Sequence, residues 1–138
     1  KTMTTGQSKV TIGYCRVSSP KQKDDLRRQE EDVRTYMLAN GYQFEIVTDI
    51  GSGINYNNKG LNELLDRITD NQVDKIVILH KDRLVRFGFE LIENLCRKYG
   101  IMIEIIDHTE KTEEQELVED LVQIVTVFRA NAQTKPER

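Results

Sequence analysis

Short apolar stretches rich in β-branched residues alternate with amphipathic stretches along the chain. The apolar stretches predict four β-strands, at residues 10–15, 44–47, 73–79 and 101–106. The last two are almost continuously apolar, which is typical of strands that are buried on both faces of a sheet. Because a helical pattern follows each of the first three strands, the order predicts a parallel sheet with right-handed crossovers.

Three segments between the strands have the spacing of one helix face. Their apolar residues recur at intervals of three and four, in the sets Leu26, Val33, Tyr36, Met37; Leu61, Leu64, Leu65, Ile68; and Ile92, Leu95, Cys96, Tyr99. Asn40-Gly41 and Gly100 predict the ends of the first and third helices, since glycine is common just after a helix. The predicted fold class is therefore α/β, with a mostly parallel sheet of four to five strands flanked by helices.

The C-terminal segment predicts a long helix, from about Glu113 to Ala132. It contains no glycine or proline, and acidic residues, which are favourable near a helix N-terminus, lie at its start. Its apolar residues are too many for one packed face: Leu117, Val118, Leu121, Val122, Ile124, Val125, Val127 and Phe128. Such a helix buries two sides, of which one can pack on the sheet and the other on a partner chain. A helix buried wholly in its own core is the alternative.

The length of 138 residues suits one domain with a core of its own. We expect this domain at residues 10–133, with flexible tails at residues 1–9 and 134–138. No apolar run reaches the roughly eighteen residues of a membrane span, and the polar start lacks the core of a signal peptide. A cytoplasmic protein without membrane association is expected. Cys15 and Cys96 lie in apolar stretches and are expected to be buried, reduced thiols.

The charge balance is unusual for a protein that binds nucleic acid by itself. The net charge is −3 and the pI is about 5.5, whereas nucleic-acid-binding domains usually have a high pI. If the chain acts on DNA, its basic residues must be concentrated in one crevice, or another domain must provide most of the affinity.

Candidate chemistry lies at the predicted strand ends, because ligands of open parallel sheets bind beyond the carboxyl ends of the strands. Candidates follow all four strands. They are Arg16, Ser18 and Ser19 after the first, Asp49 and the loop Gly51-Ser52-Gly53 after the second, His80, Lys81, Asp82, Arg83 and Arg86 after the third, and Asp107 and His108 after the fourth. Guanidinium groups match phosphate oxygens, and an activated serine hydroxyl is a nucleophile. Pro20 favours a helix start, where anions are stabilised. The pattern predicts a phosphate site that is suited to phosphoryl transfer.

Simpler interpretations exist for each of these features. Ser18 and Ser19 before Pro20 could be only a helix cap, and residues 81–86 could be a solvated loop with one ion pair. His80 is interpreted as a packed residue at a strand end. Gly51-Ser52-Gly53 is interpreted as a flexible turn, because it lacks the signature of a phosphate-binding loop. The two cysteines and two histidines lack the spacing of a metal site, so no metal is expected.

Two blocks of residues resemble a known family. Tyr14-Cys15-Arg16-Val17-Ser18-Ser19, followed by Gln22, Leu26 and Gln29, resembles the segment that opens the catalytic domain of resolvases and invertases, the serine recombinases. Lys81-Asp82-Arg83-Leu84-Val85-Arg86 is similar to the second catalytic segment of that family. Between the blocks, in the expected order, lie Asp49, the Gly51-Ser52-Gly53 turn and Lys59-Gly60-Leu61. Residues 83–90 and 116–121 look closest to the transposon-encoded branch, whose helix-turn-helix domain precedes the catalytic domain.

The resemblance implies a reaction and a role for each residue. Ser18 would attack the scissile phosphodiester, forming a 5′-phosphoserine and releasing a 3′-hydroxyl. Arg16, Arg83 and Arg86 would bind and activate the phosphate, and Asp82 would orient them or assist proton transfer. Six residues would support the phosphate and DNA site: Tyr14, Gln22, Gln29, Asp49, Lys59 and Lys81. The resemblance implies no metal or nucleotide cofactor. It implies DNA as partner, with homodimers and homotetramers formed through the helix from about Glu113 to Ala132.

Three features depart from the family pattern. Ile50 follows Asp49 where many resolvases carry a basic residue, and the spacing from Ser18 to Gln29 is slightly longer than in small resolvases. No DNA-binding module is recognised in the chain, so an excised catalytic domain is expected. Two rival functions stay open: a catalytically inactive oligomerisation or regulatory module of the same fold, and a small phosphohydrolase or nucleotide-binding domain. The complete set of Ser18, Asp82 and the three arginines favours the recombinase.

Overall fold

Four parallel strands form the sheet at the centre of the molecule. In a computed structural model, which describes residues 9–54, 57–107, 118, 121, 122 and 125, the strands are β1 (Val10–Val17), β2 (Phe44–Ile50), β3 (Val73–Ile78) and β4 (Met102–Ile105). Their order is β2-β1-β3-β4, and every neighbouring pair is parallel. The α/β class and the parallel sheet expected from the sequence are confirmed.

Helices cover both faces of this sheet. They are α1 (Lys23–Ala39), which follows a 3-10 turn at Pro20–Gln22, α2 (Lys59–Thr69), the single turn α3 (Lys81–Leu84) and α4 (Phe89–Lys98). The apolar face of α1 packs on one side of the sheet through a cluster that contains Cys15, Val17, Leu26, Val33, Met37 and Val77. The helices α2 and α4 pack on the other side, around Ile12, Tyr14, Leu64, Ile68, Ile76 and Ile92.

Strand β1 lies inside the sheet, and its side chains alternate between the two faces. Cys15 and Val17 belong to the cluster under α1, whereas Tyr14 belongs to the cluster under α2 and α4. Cys15 and Cys96 are buried free thiols, as expected from the sequence. Burial raises the pKa of the Cys15 thiol to about 12 and that of Cys96 to about 11, so both stay protonated at neutral pH.

One expectation about the strands was wrong. The sequence predicted that β4 is buried on both faces, as β3 is, but the strand order places β4 at an edge of the described sheet. Met102 is 63% exposed, and Ile103 and Ile105 are only half-buried. A continuous apolar run therefore did not distinguish an edge strand from an internal one.

The predicted C-terminal helix lies mostly outside the described residues, as do His108 and, apart from Lys9, the two predicted tails. The four residues of that helix that are described, Val118, Leu121, Val122 and Val125, are helical, with 49% to 56% of their surface exposed. Their spacing of three and four residues places them on one face of a helix. Among all the described residues, no helix is both long and apolar enough to cross a membrane.

Candidate active site

The carboxyl end of β1 carries two of the candidate residues. Arg16 is the last but one residue of β1, and Ser18 directly follows the strand, two positions on, which directs the two side chains to the same side. Arg16 is fully buried, at 0% exposure, while Ser18 is partly exposed. The Nη1 atom of Arg16 donates a hydrogen bond to Oγ of Ser18 over 3.4 Å. A buried guanidinium therefore contacts a hydroxyl that solvent can reach.

Main-chain carbonyl groups hold the Arg16 guanidinium in place. Its Nε donates to the oxygen of Arg83 at 3.2 Å, Nη1 to Gly51 at 2.9 Å and Nη2 to Asp82 at 2.6 Å. A buried charge is costly unless its hydrogen bonds are satisfied, and carbonyl oxygens satisfy a guanidinium without neutralising it. These bonds fix the direction of Arg16 and join β1 to the segment that follows β3.

Asp82 brings two further arginines together. Oδ1 of its carboxylate lies 3.7 Å from Nε of Arg83, and Oδ2 lies 3.5 Å from Nη1 of Arg86. Arg83 also donates from Nη1 to the main-chain oxygen of Arg16 at 2.7 Å. Since Nε of Arg16 donates to the main-chain oxygen of Arg83, Arg16 and Arg83 each bind the carbonyl of the other. The side chains of Arg83 and Arg86 are only 10% and 8% exposed. The segment is therefore a packed ion-pair network and not a solvated loop.

Two glutamines fix the main chain at the end of β1. Gln29 of α1 is buried; its Oε1 accepts from the amide of Arg16 at 2.9 Å, and its Nε2 donates to the oxygen of Arg16 at 3.2 Å. Oε1 of Gln22 accepts from the amides of Ser18 and Ser19, each at 3.1 Å. In contrast to Ser18, the buried Oγ of Ser19 has no hydrogen-bond partner among the described residues.

Tyr14 and Asp49 form a second network beside the first. The Tyr14 hydroxyl donates to Oδ2 of Asp49, and the amides of Gly60 and Leu61 donate to the same carboxylate at 2.7 and 2.8 Å. Burial, and then the hydrogen bond to Asp49, raise the pKa of Tyr14, which therefore stays protonated. The structure thus places Asp49 against the N-terminus of α2, where a carboxylate is favoured by the helix dipole.

The remaining candidates lie at the periphery or pack locally. Lys59 is exposed at the start of α2. The Lys81 side chain is 55% exposed; its Nζ lies 3.8 Å from Oε2 of Glu90 and 5.0 Å from the centre of the Phe89 ring. Nδ1 of His80 lies 3.1 Å from the oxygen of Asp107, which suits a packed residue at a strand end. The described residues contain no group of three or more potential metal ligands.

The sequence placed the loop after β2 at the edge of the site, but interpreted it only as a flexible turn. Ser52 and Gly53 are buried, and this loop packs on Arg16 through Gly51 and Gly53. The interpretation as a flexible turn therefore needs correction, because the turn is a wall of the site. Two glycines around a serine were the available signal, since glycine permits a close approach of the backbone.

Comparisons with known proteins identify the family of this chain. The family described as Resolvase, N terminal domain, matches residues 11–135. A resolvase-type protein of Acanthamoeba polyphaga mimivirus is 45% identical over 131 residues, which make up 94% of this chain and 66% of that protein. This chain therefore spans just under two thirds of the length of that relative.

Two solved structures are similar throughout most of the chain. The C-terminal catalytic domain of ISC1926 TnpA, an IS607-like serine recombinase, has a TM-score of 0.78 at 44% identity, covering 88% of this chain and 84% of that one. The first ORF in transposon ISC1904 from Sulfolobus solfataricus P2 has the same TM-score at 40% identity, covering 90% and 86%. The predicted resemblance is confirmed: the chain belongs to the resolvase family of serine recombinases.

Proposed function

We propose that this chain cleaves and rejoins DNA strands as the catalytic domain of a recombinase or transposase, with Ser18 as the nucleophile. The observation that carries the proposal is the 3.4 Å hydrogen bond between Nη1 of the buried Arg16 and Oγ of Ser18. The pair lies at the carboxyl edge of a parallel sheet, where ligands of such folds bind. A fixed guanidinium at this position favours negative charge on the attacking oxygen and on the phosphate.

The proposed reaction exchanges one phosphate ester for another. A bond forms between Oγ of Ser18 and phosphorus, while the bond from phosphorus to the 3′ oxygen of the DNA breaks. The hydroxyl proton of Ser18 is released, and the departing 3′ oxygen takes up a proton to become a hydroxyl. The 5′-phosphoserine conserves the energy of the original ester. Attack by a 3′-hydroxyl on this link therefore rejoins DNA and regenerates Ser18 without a nucleotide.

The surrounding side chains have two proposed roles. The guanidinium groups of Arg16, Arg83 and Arg86 bind the phosphate oxygens. In support, all three arginines contact Asp82, through its carbonyl oxygen or its carboxylate, and Arg16 also contacts Ser18. Asp82 orients Arg83 and Arg86 through its two oxygens. The supporting residues maintain the main chain and the edge of this pocket: Tyr14, Gln22, Gln29, Asp49, Lys59 and Lys81.

The proposed partners are DNA and further copies of this chain. Homodimers and homotetramers would form through the helix from about Glu113 to Ala132. The support is the apolar face of Val118, Leu121, Val122 and Val125, which is about half exposed. Replacing Leu121 and Val125 together by Asp should give monomers in sedimentation, whereas an unchanged oligomeric state would contradict this interface.

Covalent trapping tests the reaction and its nucleophile. The chain is joined to a heterologous sequence-specific DNA-binding domain. The substrate is a duplex that carries the binding site of that domain and a central segment of randomised sequence, with a nick that prevents religation. We expect an SDS-resistant protein–DNA adduct that forms with the unchanged fusion and with Ser19→Ala but not with Ser18→Ala. Mass spectrometry should locate the phosphate on Ser18.

Other results, in this experiment or in a separate assay with a chromogenic substrate, would favour the alternatives. An adduct that survives Ser18→Ala but not Ser19→Ala would move the nucleophile by one residue. The absence of any adduct, with DNA bound, would favour the inactive oligomerisation or regulatory module. Turnover of a chromogenic phosphate ester without DNA would favour a small phosphohydrolase.

A further inference from the structure

The loop after β2, residues 51–53, covers the Arg16 guanidinium and continues to Arg86. The oxygen of Gly51 accepts from Nη1 of Arg16 at 2.9 Å, and the oxygen of Gly53 accepts from the amide of Arg86 at 2.8 Å. The loop is close enough to Arg16 that a Cβ atom on Gly53 would lie 2.7 Å from Nη2. The position of this loop therefore helps to determine the position of Arg16, which lies on β1, and of Arg86, which follows α3.

Asn58 holds the middle of this loop from the start of α2. The residue is buried, at 7% exposure, and its Nδ2 donates to the oxygen of Ser52 at 3.0 Å. Its Oδ1 lies against Gly51, where an added Cβ would overlap it. The main-chain oxygen of Asn58 accepts from the amide of Asn62 at 3.0 Å, within the first turn of α2. The asparagine is thus anchored in a helix and directed at the loop.

The side chain of Asn58 is not used in the way that its position predicts. An asparagine at the N-cap usually accepts a hydrogen bond from the second or third amide of its helix. Here the Asn58 side chain makes no such bond, because Asp49 accepts from the amides of Gly60 and Leu61. Asp49 takes over the capping of α2, which leaves the amide group of Asn58 for the loop.

We propose that Asn58 is a positioning residue for strand cleavage, which acts on Arg16 and Arg86 through the 51–53 loop. This inference rests on the proposed function. Removing the Asn58 amide leaves the buried carbonyl of Ser52 without that donor, which favours a shift of the loop. Gly51 and Gly53 would then place their oxygens differently, and the two arginines would lose their alignment with the phosphate. Such misplacement affects the rate of a reaction more than it affects binding.

The test compares Asn58→Ala with Asn62→Ala in the fusion protein used for covalent trapping. Asn62 is a matched control, because it is an asparagine of the same helix whose Nδ2 donates to the main-chain oxygen of Asn58 at 3.1 Å. Three quantities are measured for each variant: the single-turnover rate of adduct formation, the Kd for DNA and the Tm. For Asn58→Ala we expect a rate that is about 10- to 100-fold lower, with the Kd unchanged. We expect Asn62→Ala to match it in Tm and to retain the rate.

Asn58→Asp provides a second variant of nearly the same shape. Its carboxylate cannot donate to Ser52 when ionised, but the protonated acid can. The cleavage rate of Asn58→Asp relative to the unchanged protein should therefore rise as the pH falls through the pKa of the new carboxyl. A purely structural loss of packing would not produce this pH profile.

The possible failures are distinguishable. If the unchanged protein forms the Ser18 adduct and both Asn58 variants form it at the same rate, the positioning role is overturned. The role is also overturned if the rate falls only in proportion to the unfolded fraction. If the unchanged protein binds DNA and forms no adduct, the proposed function itself fails, and the role of Asn58 in cleavage fails with it.

Discussion

Two buried or partly buried polar networks adjoin the same sheet, and they differ in how charge is balanced. The first is the site network of Arg16, Asp82, Arg83 and Arg86. The second, here called the Glu104 cluster, lies on the α1 side of the sheet and consists of Tyr36, Tyr42, Lys75 and Glu104. Glu104 accepts from the hydroxyl of Tyr42 at 2.9 Å and lies 3.2 Å from Nζ of Lys75. The Lys75 ammonium also lies 4.3 Å from the centre of the Tyr42 ring.

Among the described residues, the Glu104 cluster pairs one carboxylate with one ammonium, whereas the site network holds more guanidinium groups than carboxylates. One carboxylate and one ammonium balance in the cluster, and tyrosine groups satisfy both. In the part of the site that the structure describes, the three arginines contact Asp82, through its carboxylate or its main-chain carbonyl, and the Asp49 carboxylate belongs to the neighbouring network. Excess buried charge destabilises a fold, so it is expected where a charged ligand completes the network. The comparison therefore separates a network with balanced charges from one whose positive charge suits the proposed binding of a phosphate.

The largest expected effect comes from Arg83→Lys. Arg83 reaches the Asp82 carboxylate through Nε and the Arg16 oxygen through Nη1, and a single ammonium cannot reproduce this fork. We expect cleavage to fall by about 100-fold or more in the trapping assay. Arg97→Lys, on the exposed surface of α4, is the matched control and should cleave normally. Cleavage by Arg83→Lys at the normal rate would show that the fork of Arg83 is not needed.

Much of the site could be predicted because its residues are close in sequence. Arg16 lies at the end of β1 and Ser18 directly follows it, while Asp82, Arg83 and Arg86 follow the end of β3. Because the carboxyl ends of parallel strands lie at the same edge of a sheet, the α/β pattern predicted that the residues after β1 and those after β3 would be close together. The same logic predicted the four strands and three main helices.

The remaining contacts depend on packing between distant segments, which the pattern does not contain. Asp49 was predicted to support the phosphate, but its alignment with the amides of Gly60 and Leu61 depends on how α2 docks on β2. Asn58 gives no signal in the sequence beyond that of a helix cap, because its contact with Ser52 depends on the path of a loop. The edge position of β4 likewise depends on strand order, which hydrophobicity does not encode.

A smaller loss of activity is expected for Gly53→Ala. The new Cβ would lie 2.7 Å from Nη2 of Arg16, so either the loop or the guanidinium must move. We expect a decrease in the cleavage rate of about 10- to 100-fold, with DNA affinity retained. Gly41→Ala is the control, because Gly41 has a φ of +73° and nothing within 4 Å of an added Cβ. That control should lower the Tm through backbone strain and leave cleavage intact; equal cleavage by both variants would indicate that the loop tolerates displacement.

Asp49→Asn should affect stability more than chemistry. The carboxylate accepts from Tyr14, Gly60 and Leu61, whereas an amide turns one acceptor into a donor and leaves a buried N–H unsatisfied. We expect the free energy of unfolding to fall by about 1–3 kcal/mol in denaturant titrations. Asp66→Asn, on the exposed side of α2, should change it little. Unchanged stability with reduced cleavage would assign Asp49 to phosphate support instead of to the start of α2.

The smallest effect is expected for Glu104→Gln, which removes the charge of the Glu104 cluster and keeps its shape. The Lys75 and Glu104 side chains are 23% and 20% exposed, so the ion pair is partly screened. The free energy of unfolding should fall by about 1 kcal/mol or less, and cleavage should not change. The hydrogen bond to Tyr42, together with Glu104, raises the pKa of Lys75. The stabilisation that the Lys75–Glu104 ion pair gives to the fold is therefore complete at neutral pH. It is lost as the pH rises above the ordinary lysine pKa of 10.5 and through the raised pKa of Lys75. A decrease in cleavage comparable to that of Gly53→Ala would mean that the balanced network also serves the reaction, and charge balance would no longer separate the two regions.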